Sequence, residues 1–357
     1  MTTSGLSKAS IESALNSVKD PETGLGIVDQ HQVRSIELSG DTVRISVALS
    51  THSAPLKADV VAAIQDRLTP LGVQKADISL ENLDRPAAPQ GQLGLTIKSI
   101  IAVGSGKGGV GKSTLAASLA LGLQRAGCKV GLLDADLYGP SIPHLLGITE
   151  QPQQSDKKII PVNVGGISVI SIGFFVPREE AVVWRGPMLH GAMTNFLRDT
   201  HWGQLDYLII DMPPGTGDIA LSLSQMVPLT GAVVVCTPQD VALLDAVKAI
   251  AMFRKLNIQV LGMVENMSGF ICPDCHKRYD IFGSGGARKR AEELQVPFLG
   301  DVPINIAIRQ HGDDGTTNRN YEDPLVKPYL ERVVHQLASN VAAVAVAKAG
   351  TPSLPVL

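Results

Sequence analysis

Three sets of residues in this chain have the types and spacing to do chemistry. Gly106-Lys107-Gly108-Gly109-Val110-Gly111-Lys112-Ser113 satisfies G-x-x-x-x-G-K-[ST]. In that spacing backbone N–H groups turn inward around phosphate oxygens, and a following helix adds its positive end. Lys112 is placed to reach the β- and γ-phosphates of a nucleotide and Ser113 to ligate Mg²⁺. Thr114 is suited to a hydrogen bond to the α-phosphate. Two acidic sets follow apolar runs: Asp134 and Asp136 in LLDAD, and Asp211 in DMPPG, which ends at Gly215. A carboxylate at the end of a strand can contact Mg²⁺ or its waters, although each acid also fits a turn or helix cap. Asn266 ends another run, and its side-chain amide has the donor and acceptor that an adenine edge requires.

The third set is Cys272-Pro273-Asp274-Cys275, in GFICPDCHKRYDIFG. Two thiolates so spaced can bind one metal centre. A thioredoxin-like redox pair would open a helix, and here a turn follows. Structural zinc needs four N or S ligands, of which His276 would supply only a third, and an iron–sulfur cluster wants four thiolates. Cys128, at a helix end, and Cys236, closing an apolar strand, read as small core residues. Two chains, each giving Cys272 and Cys275, are the simplest way to reach four. His276 reads as a loop residue.

The elements that must position these groups are legible in the hydrophobic pattern. Ile100–Val103, Val130–Leu133, Tyr207–Ile210, Ala232–Cys236 and Val260–Val264 are near-continuously apolar, as in strands covered on both faces. Helical patterns over Ser113–Ala126, Met188–Asp199, Ile219–Met226 and Val241–Leu256 alternate with them. The fold expected is α/β: a doubly wound, mostly parallel sheet of the P-loop NTPase kind over 98–357, with ligands at the carboxyl ends of its strands. Asp218 is expected to cap the helix it precedes. Residues 1–85 form a smaller α/β domain: a helix with Ile11, Leu15 and Val18, a hairpin of Val33–Leu38 and Val43–Leu49 around Ser39-Gly40-Asp41, a helix over Ala58–Leu68 and a strand over Lys75–Leu80. The Pro- and Gly-rich stretch within 86–97 reads as a linker.

Composition sets limits on partners. The 357 residues are 44% hydrophobic and 18% charged with net charge −3, and no apolar run approaches the roughly 20 residues that span a bilayer. MTTSGLSKAS has no apolar stretch of a secretory signal behind it. A cytoplasmic protein binding neither nucleic acid nor membrane is expected. Residues 1–85 carry 8 Lys and Arg against 11 Asp and Glu, while the remainder is balanced at 23 of each.

Lys107, a second lysine inside K-G-G-x-G-K-[ST], resembles the deviant Walker A ATPases: nitrogenase iron protein, MinD, ParA, the arsenical pump ATPase and the Mrp/ApbC carriers. In that class the extra lysine reaches the partner subunit's nucleotide, which implies a homodimer with Lys107 catalytic in trans; the plain alternative is a solvated surface lysine. The resemblance also makes 134–139 a switch I loop, with Asp136 orienting the attacking water. It makes Asp211 and Gly215 a Walker B/switch II pair facing Mg²⁺ and the γ-phosphate. It further implies ATP rather than GTP, adenine recognition by Asn266, and a loop at Asp301-Val302-Pro303 covering the base.

GSGKGGVGKST, LLDADLYGPSIPHLLG, WRGPM, DYLIIDMPPGTGD, TPQD, ENMSGFICPDC and IFGSGG together resemble the Mrp/ApbC iron–sulfur cluster carrier family over about 98–345. The N-terminal region, with Val18-Lys19-Asp20-Pro21-Glu22, resembles the small domain of other iron–sulfur assembly factors, although it holds no cysteine. The resemblance implies an ATP-hydrolysing, Mg²⁺-dependent homodimer that binds a [4Fe–4S] cluster between subunits at Cys272 and Cys275. Such a protein would receive the cluster from assembly scaffold proteins and pass it to apo iron–sulfur proteins. The competing readings are a positioning ATPase of the MinD/ParA kind and a zinc-stabilised nucleotide-binding scaffold.

Overall fold

The computed structural model describes residues 6–39, 42–73, 75–137, 139–156, 158–175, 186–215 and 217–349. They fall into two compact units: residues up to Arg85 together with those from Ala338 on, and Pro86–Leu337. Gly40 and Asp41 of the expected turn, Tyr138 and Thr216 of the two expected switch loops, and Trp184 and Arg185 of WRGPM lie outside the described residues.

The smaller unit opens with α1 (Lys8–Leu15), which Ser7 caps by accepting from the Ser10 N–H. Strands β1 (Val33–Ser39) and β2 (Thr42–Ser50) pair antiparallel. Helix α2 (Lys57–Leu68) then returns the chain so that β3 (Lys75–Leu83) joins β2 in parallel. Ile11, Leu15, Ile27, Val43, Ile45, Leu49, Ile64 and Leu68 form its core. Arg85 closes the unit by pairing with buried Asp20 at 2.6 Å.

In the larger unit β4 (Ile97–Gly104) leads into α3 (Lys112–Ala126) and β5 (Val130–Asp134). A peripheral stretch follows: α4 (Ile142–Leu145), β6 (Gln153–Ser155), β7 (Lys158–Ile160), β8 (Val162–Val164) and β9 (Ile167–Ser171). The alternation resumes with α5 (Gly186–Arg198), β10 (Leu205–Asp211), α6 (Gly217–Met226), β11 (Gly231–Cys236) and α7 (Asp240–Lys255). The chain then forms β12 (Val260–Ile271), β13 (Arg278–Tyr279), α8 (Gly286–Glu293), β14 (Phe298–Ile304), α9 (Ile306–Asp313) and α10 (Lys327–Ala349), the last counting with the smaller unit from Ala338 on.

The sheet order is β13-β12-β11-β4-β10-β5-β9-β8, with β14 on β12. Every neighbouring pair is parallel except β12/β13 and β8/β9. All five apolar runs lie inside strands, and all four helical patterns match helices to within two residues at their ends. These strands are continuously apolar because helices cover both faces, and each fully buried Leu, Ile or Val contributes about 1.5–3 kcal/mol. Leu95, in the stretch read as a linker, is buried in the core cluster of this unit, and Ile97 opens β4. Asp218 lies inside the first turn of α6 rather than capping it. Asp301-Val302-Pro303 is not a loop but part of β14, because Glu265 and Asn266 of β12 pair with Asp301 and Val302.

The connection from β4 through α3 to β5 crosses over β10, which lies between them. Such a crossover leaves a crevice beyond the carboxyl ends of the strands. The P-loop, Asp134, Asp211 and Asn266 all emerge there.

Candidate functional site

The P-loop bridges the end of β4 and the first turn of α3. Gly111 has φ +80°, and a Cβ there would lie 2.1 Å from Asn266 Nδ2; at Gly106 a Cβ would meet the Asp245 carbonyl at 2.0 Å. Glycine is therefore required at both positions, once for conformation and twice for close approach. Asn266 Nδ2 donates to the Val110 carbonyl at 2.9 Å, so the residue read as an adenine contact also braces the phosphate loop. Thr114 lies half-buried in the first turn of α3.

Lys112 is buried among carboxylates. Its Nζ donates to Asp211 Oδ1 at 2.6 Å and to Ser113 Oγ at 3.0 Å, with Asp136 Oδ2 at 3.6 Å. Parallel register sets Asp211 beside Asp134 on the adjacent strand. Asp134 accepts from the N–H groups of Asp136 and Ile142 at 3.1 Å and from Ser171 Oγ at 2.9 Å. One ammonium thus meets two carboxylates, with a third, Asp134, on the strand beside Asp211. Burial, then the charge of Asp211, pushes the Asp134 carboxyl up to about 7 despite those donors. Burial pushes Asp211 up as well, against the pull of Lys112.

Asp211 Oδ2 is buried without a hydrogen-bond partner. A buried acceptor left unpaired costs about 1–3 kcal/mol. An orphaned carboxylate oxygen, an adjacent serine hydroxyl and excess negative charge are the donor set that Mg²⁺ takes, so the residues present fit that ion.

The 211–215 loop is tied to the P-loop strand. The Met212 N–H donates to the Val103 carbonyl at 3.0 Å and the Gly215 N–H to the Ser105 carbonyl at 2.9 Å. Asp136 Oδ1 accepts from the Gly139 N–H at 3.2 Å. Beside this region a cavity of about 310 Å³ is lined by Ser105, Gly106, Met212, Pro213, Lys248 and Met252, among others. Lys107 is exposed, and among the described residues no ion pair holds it.

Cys272 and Cys275 occupy the tip of a short hairpin between β12 and β13. The Cys272 N–H donates to the Lys277 carbonyl at 3.0 Å and the His276 N–H to the Cys272 carbonyl at 2.9 Å. Cys272 is half-buried and Cys275 exposed. The N–H groups of Cys275 and Asp274 hold the Cys272 thiol below its usual range. Among the described residues no three His, Cys, Asp or Glu side chains converge as a metal-binding group. Cys128 is buried, and Cys236 is buried with its thiol pushed up to about 12.

Sequence reasoning missed several supporting residues. Ser171, which orients Asp134, is an ordinary serine at a strand end, and nothing in its neighbourhood signals that role. Glu265 stands in ENMSGF beside the residue that was singled out. Its buried carboxylate accepts from Ser268 Oγ, the Gly285 N–H and the Ala287 N–H at 2.6, 2.7 and 2.6 Å, which anchors the start of α8 to β12. A glutamate directly after the apolar run Val260–Val264, inside β12, is the available signal.

A parallel sheet with a lysine-bearing P-loop and two acidic strand ends defines a P-loop NTPase of the ParA/MinD architecture. The model of the NUBPL iron-transfer P-loop NTPases matches residues 96–341, and that of an iron–sulfur cluster assembly protein matches residues 8–79. The chain belongs to the NUBPL iron-transfer P-loop NTPase family. An iron–sulfur cluster carrier protein of Deinococcus radiodurans is 46% identical over 92% of both chains. One from Escherichia coli K12 is 51% identical over 69% of this chain and 67% of its own. Among solved structures, an Archaeoglobus fulgidus nucleotide-binding protein in complex with ADP is 42% identical, covers 64% of this chain and 90% of its own, and gives a TM-score of 0.57. The cell division ATPase MinD of Pyrococcus furiosus shares the fold at 22% identity and a TM-score of 0.50, covering 67% of this chain and 97% of its own.

Proposed function

We propose that this chain is a cytoplasmic ATP-hydrolysing carrier which, as a homodimer, holds a [4Fe–4S] cluster between subunits and passes it to apo-proteins. The supporting observation is the pair of accessible thiols, Cys272 and Cys275, on a hairpin extending from the strand whose Asn266 touches the P-loop. Two thiols are half of a cluster's ligand set, and a second copy supplies the rest. The exposed apolar side chains of Tyr279, Ile281 and Phe282, just beyond the thiols, support a face covered by another copy. The same two sulfurs on each copy would also serve zinc, and the experiment below separates the two.

Lys112 would turn from Asp211 to the β- and γ-phosphates of ATP, with Thr114 at the α-phosphate and Asn266 at the adenine. Ser113 and Asp211, with Asp134 behind them, would hold Mg²⁺, which when bound neutralises phosphate charge. Asp136 would orient the attacking water, and Lys107 from the second copy would add positive charge at the transition state. Gly215 would release the Ser105 carbonyl to meet the γ-phosphate, which makes the 211–217 loop a sensor of nucleotide state.

Anaerobic reconstitution of the full chain with iron and sulfide tests the reading. Wild type should gain visible charge-transfer absorption and iron, while Cys272→Ala and Cys275→Ala should lose both yet bind nucleotide normally. Iron retained at wild-type stoichiometry in either variant would refute the cysteine assignment, and uptake of zinc alone would favour the scaffold reading.

A further inference from the structure

Strand β12 is irregular between the residue that touches the P-loop and the residue that carries the thiol. Its pairing with β14 skips from Asn266 opposite Val302 to Phe270 opposite Ile304. Met267 and Gly269 in the skipped stretch have φ of +58° and +70°. This bulge would be a soft joint, but Arg278 fills it. From the position opposite Ile271 on β13, its Nη2 donates to the Ser268 carbonyl at 3.0 Å and to Ser268 Oγ at 3.2 Å. Its Nε donates to Asp280 Oδ1 at 3.2 Å, and Nη1 lies 3.7 Å from Asp301 Oδ2. The fit is close: a Cβ on Gly269 would come within 2.7 Å of Arg278 Nε and 2.8 Å of Asp280 Oδ1.

The other end of this contact is fixed. Ser268 Oγ donates to buried Glu265 Oε1 at 2.6 Å, and the neighbouring Asn266 holds the Val110 carbonyl of the P-loop. The thiol hairpin has little else to locate it, since β13 is two residues long and pairs only through Tyr279 and Arg278. A forked guanidinium holding a backbone carbonyl, a hydroxyl and a carboxylate at once is a stiff link that lysine cannot reproduce.

We infer that Arg278 is a positioning residue for the cluster ligands: by clamping the Met267–Gly269 bulge it fixes Cys272 and Cys275 relative to the P-loop, so that nucleotide state is felt at the thiols. The inference rests on the carrier reading above and adds the physical link between its two sites.

The test compares reconstituted wild type with Arg278→Ala, Arg278→Lys and Ser268→Ala. It measures the affinity of a fluorescent ATP analogue and the rate of iron release to a chelator with and without Mg-ATP. Arg278→Ala should bind the analogue as wild type does, release iron roughly tenfold faster, as expected when a residue supporting metal ligands is lost, and lose the effect of Mg-ATP on that rate. Arg278→Lys should fall between, and Ser268→Ala, which keeps the carbonyl contact, should weaken the Mg-ATP effect less than Arg278→Ala does. Iron release in Arg278→Ala at the wild-type rate, with the wild-type response to Mg-ATP, would overturn the inference. If Arg278→Ala fails to fold, Arg278→Lys and Ser268→Ala carry the same comparison, and wild-type behaviour in both would overturn it. Wild type that takes up no iron fails the carrier reading instead. The clamp is then read from alkylation of Cys272 and Cys275, which should be faster in Arg278→Ala; equal rates would overturn the clamp separately.

Discussion

Replacing Lys112 with Met in the nucleotide-free protein keeps the apolar stem and removes the one cation among the buried acids. With an effective dielectric constant near 20, the contacts at 2.6 Å to Asp211 and 3.6 Å to Asp136 correspond to about 6 and about 5 kcal/mol of attraction. Much of that is offset because burying the ammonium cost several kcal/mol, so the expected net loss at pH 8 is about 3–5 kcal/mol. In a urea melt this lowers the midpoint by roughly 1–2 M. The pH dependence has a definite sign. Burial already pushes Asp211 above its ordinary range, and losing Lys112 pushes it further. A carboxyl whose folded pKa exceeds its unfolded value contributes its stability at low pH and loses it as pH rises from about 4 toward the folded value. The deficit of Lys112→Met should therefore be small at pH 5 and full at pH 8, and adding Asp211→Asn should recover most of it. A wild-type midpoint at pH 8, or an equal deficit at both pH values, would refute the reasoning.

Native, reduced, cluster-free protein treated with iodoacetamide should label at Cys272 and Cys275, with Cys272 reacting at lower pH than an ordinary thiol. Cys236, pushed up to about 12, and buried Cys128 should react only after denaturation, and native labelling of Cys236 at a comparable rate would contradict its buried environment. Lys107→Ala should keep nucleotide affinity but lower hydrolysis by about 10³-fold, the scale of a cation supplied in trans. Mixing it with Lys112→Met should restore activity in heterodimers, and no recovery would count against action across the interface. Chelating Mg²⁺ should weaken ATP binding by on the order of tenfold, because Asp211 and the phosphates then repel without a cation between them. Asp211→Asn should remove that dependence, and equal affinities with and without Mg²⁺ in wild type would exclude Asp211 as the ion's support.

The parts of the fold legible in the sequence are those where one local rule decides the outcome. Ile100–Val103 and Tyr207–Ile210 read as buried parallel strands because only a sheet covered on both faces makes so continuous a run favourable. The P-loop was legible because turning successive N–H groups around phosphate demands glycine at fixed spacing. Asp301-Val302-Pro303 misled because its proline and aspartate are turn residues, while its pairing with Glu265 and Asn266 is a tertiary fact that outweighs local preference. Leu95 misled likewise, since one leucine in a Pro- and Gly-rich stretch does not announce its burial. Ser171 and Arg278 act across 37 and 10 residues of chain on Asp134 and Ser268, a relation that no short window contains.

The arrangement of bonds around the P-loop also bears on why nucleotide should act as a switch. In this structure Lys112 is paired with Asp211, Gly215 with Ser105 and Asn266 with Val110. Each of these groups has a proposed partner on ATP, so binding exchanges one set of hydrogen bonds and ion pairs for another instead of adding a set. On that reading, exchanging bonds of similar kind leaves a net difference far smaller than the gross energies. The remaining difference, a few kcal/mol, is the scale on which a two-state element moves from mostly one form to mostly the other. Asp211 Oδ2 and Lys107 are exceptions among the groups named, since the chain gives the first no hydrogen bond and the second no ion pair among the described residues. On the proposed reading their partners arrive from outside, a divalent cation for the carboxylate and the nucleotide of a second copy for the lysine. The direction of the exchange is then set by ligand and partner together, which is what a carrier that must hold its cargo in one state and yield it in another requires.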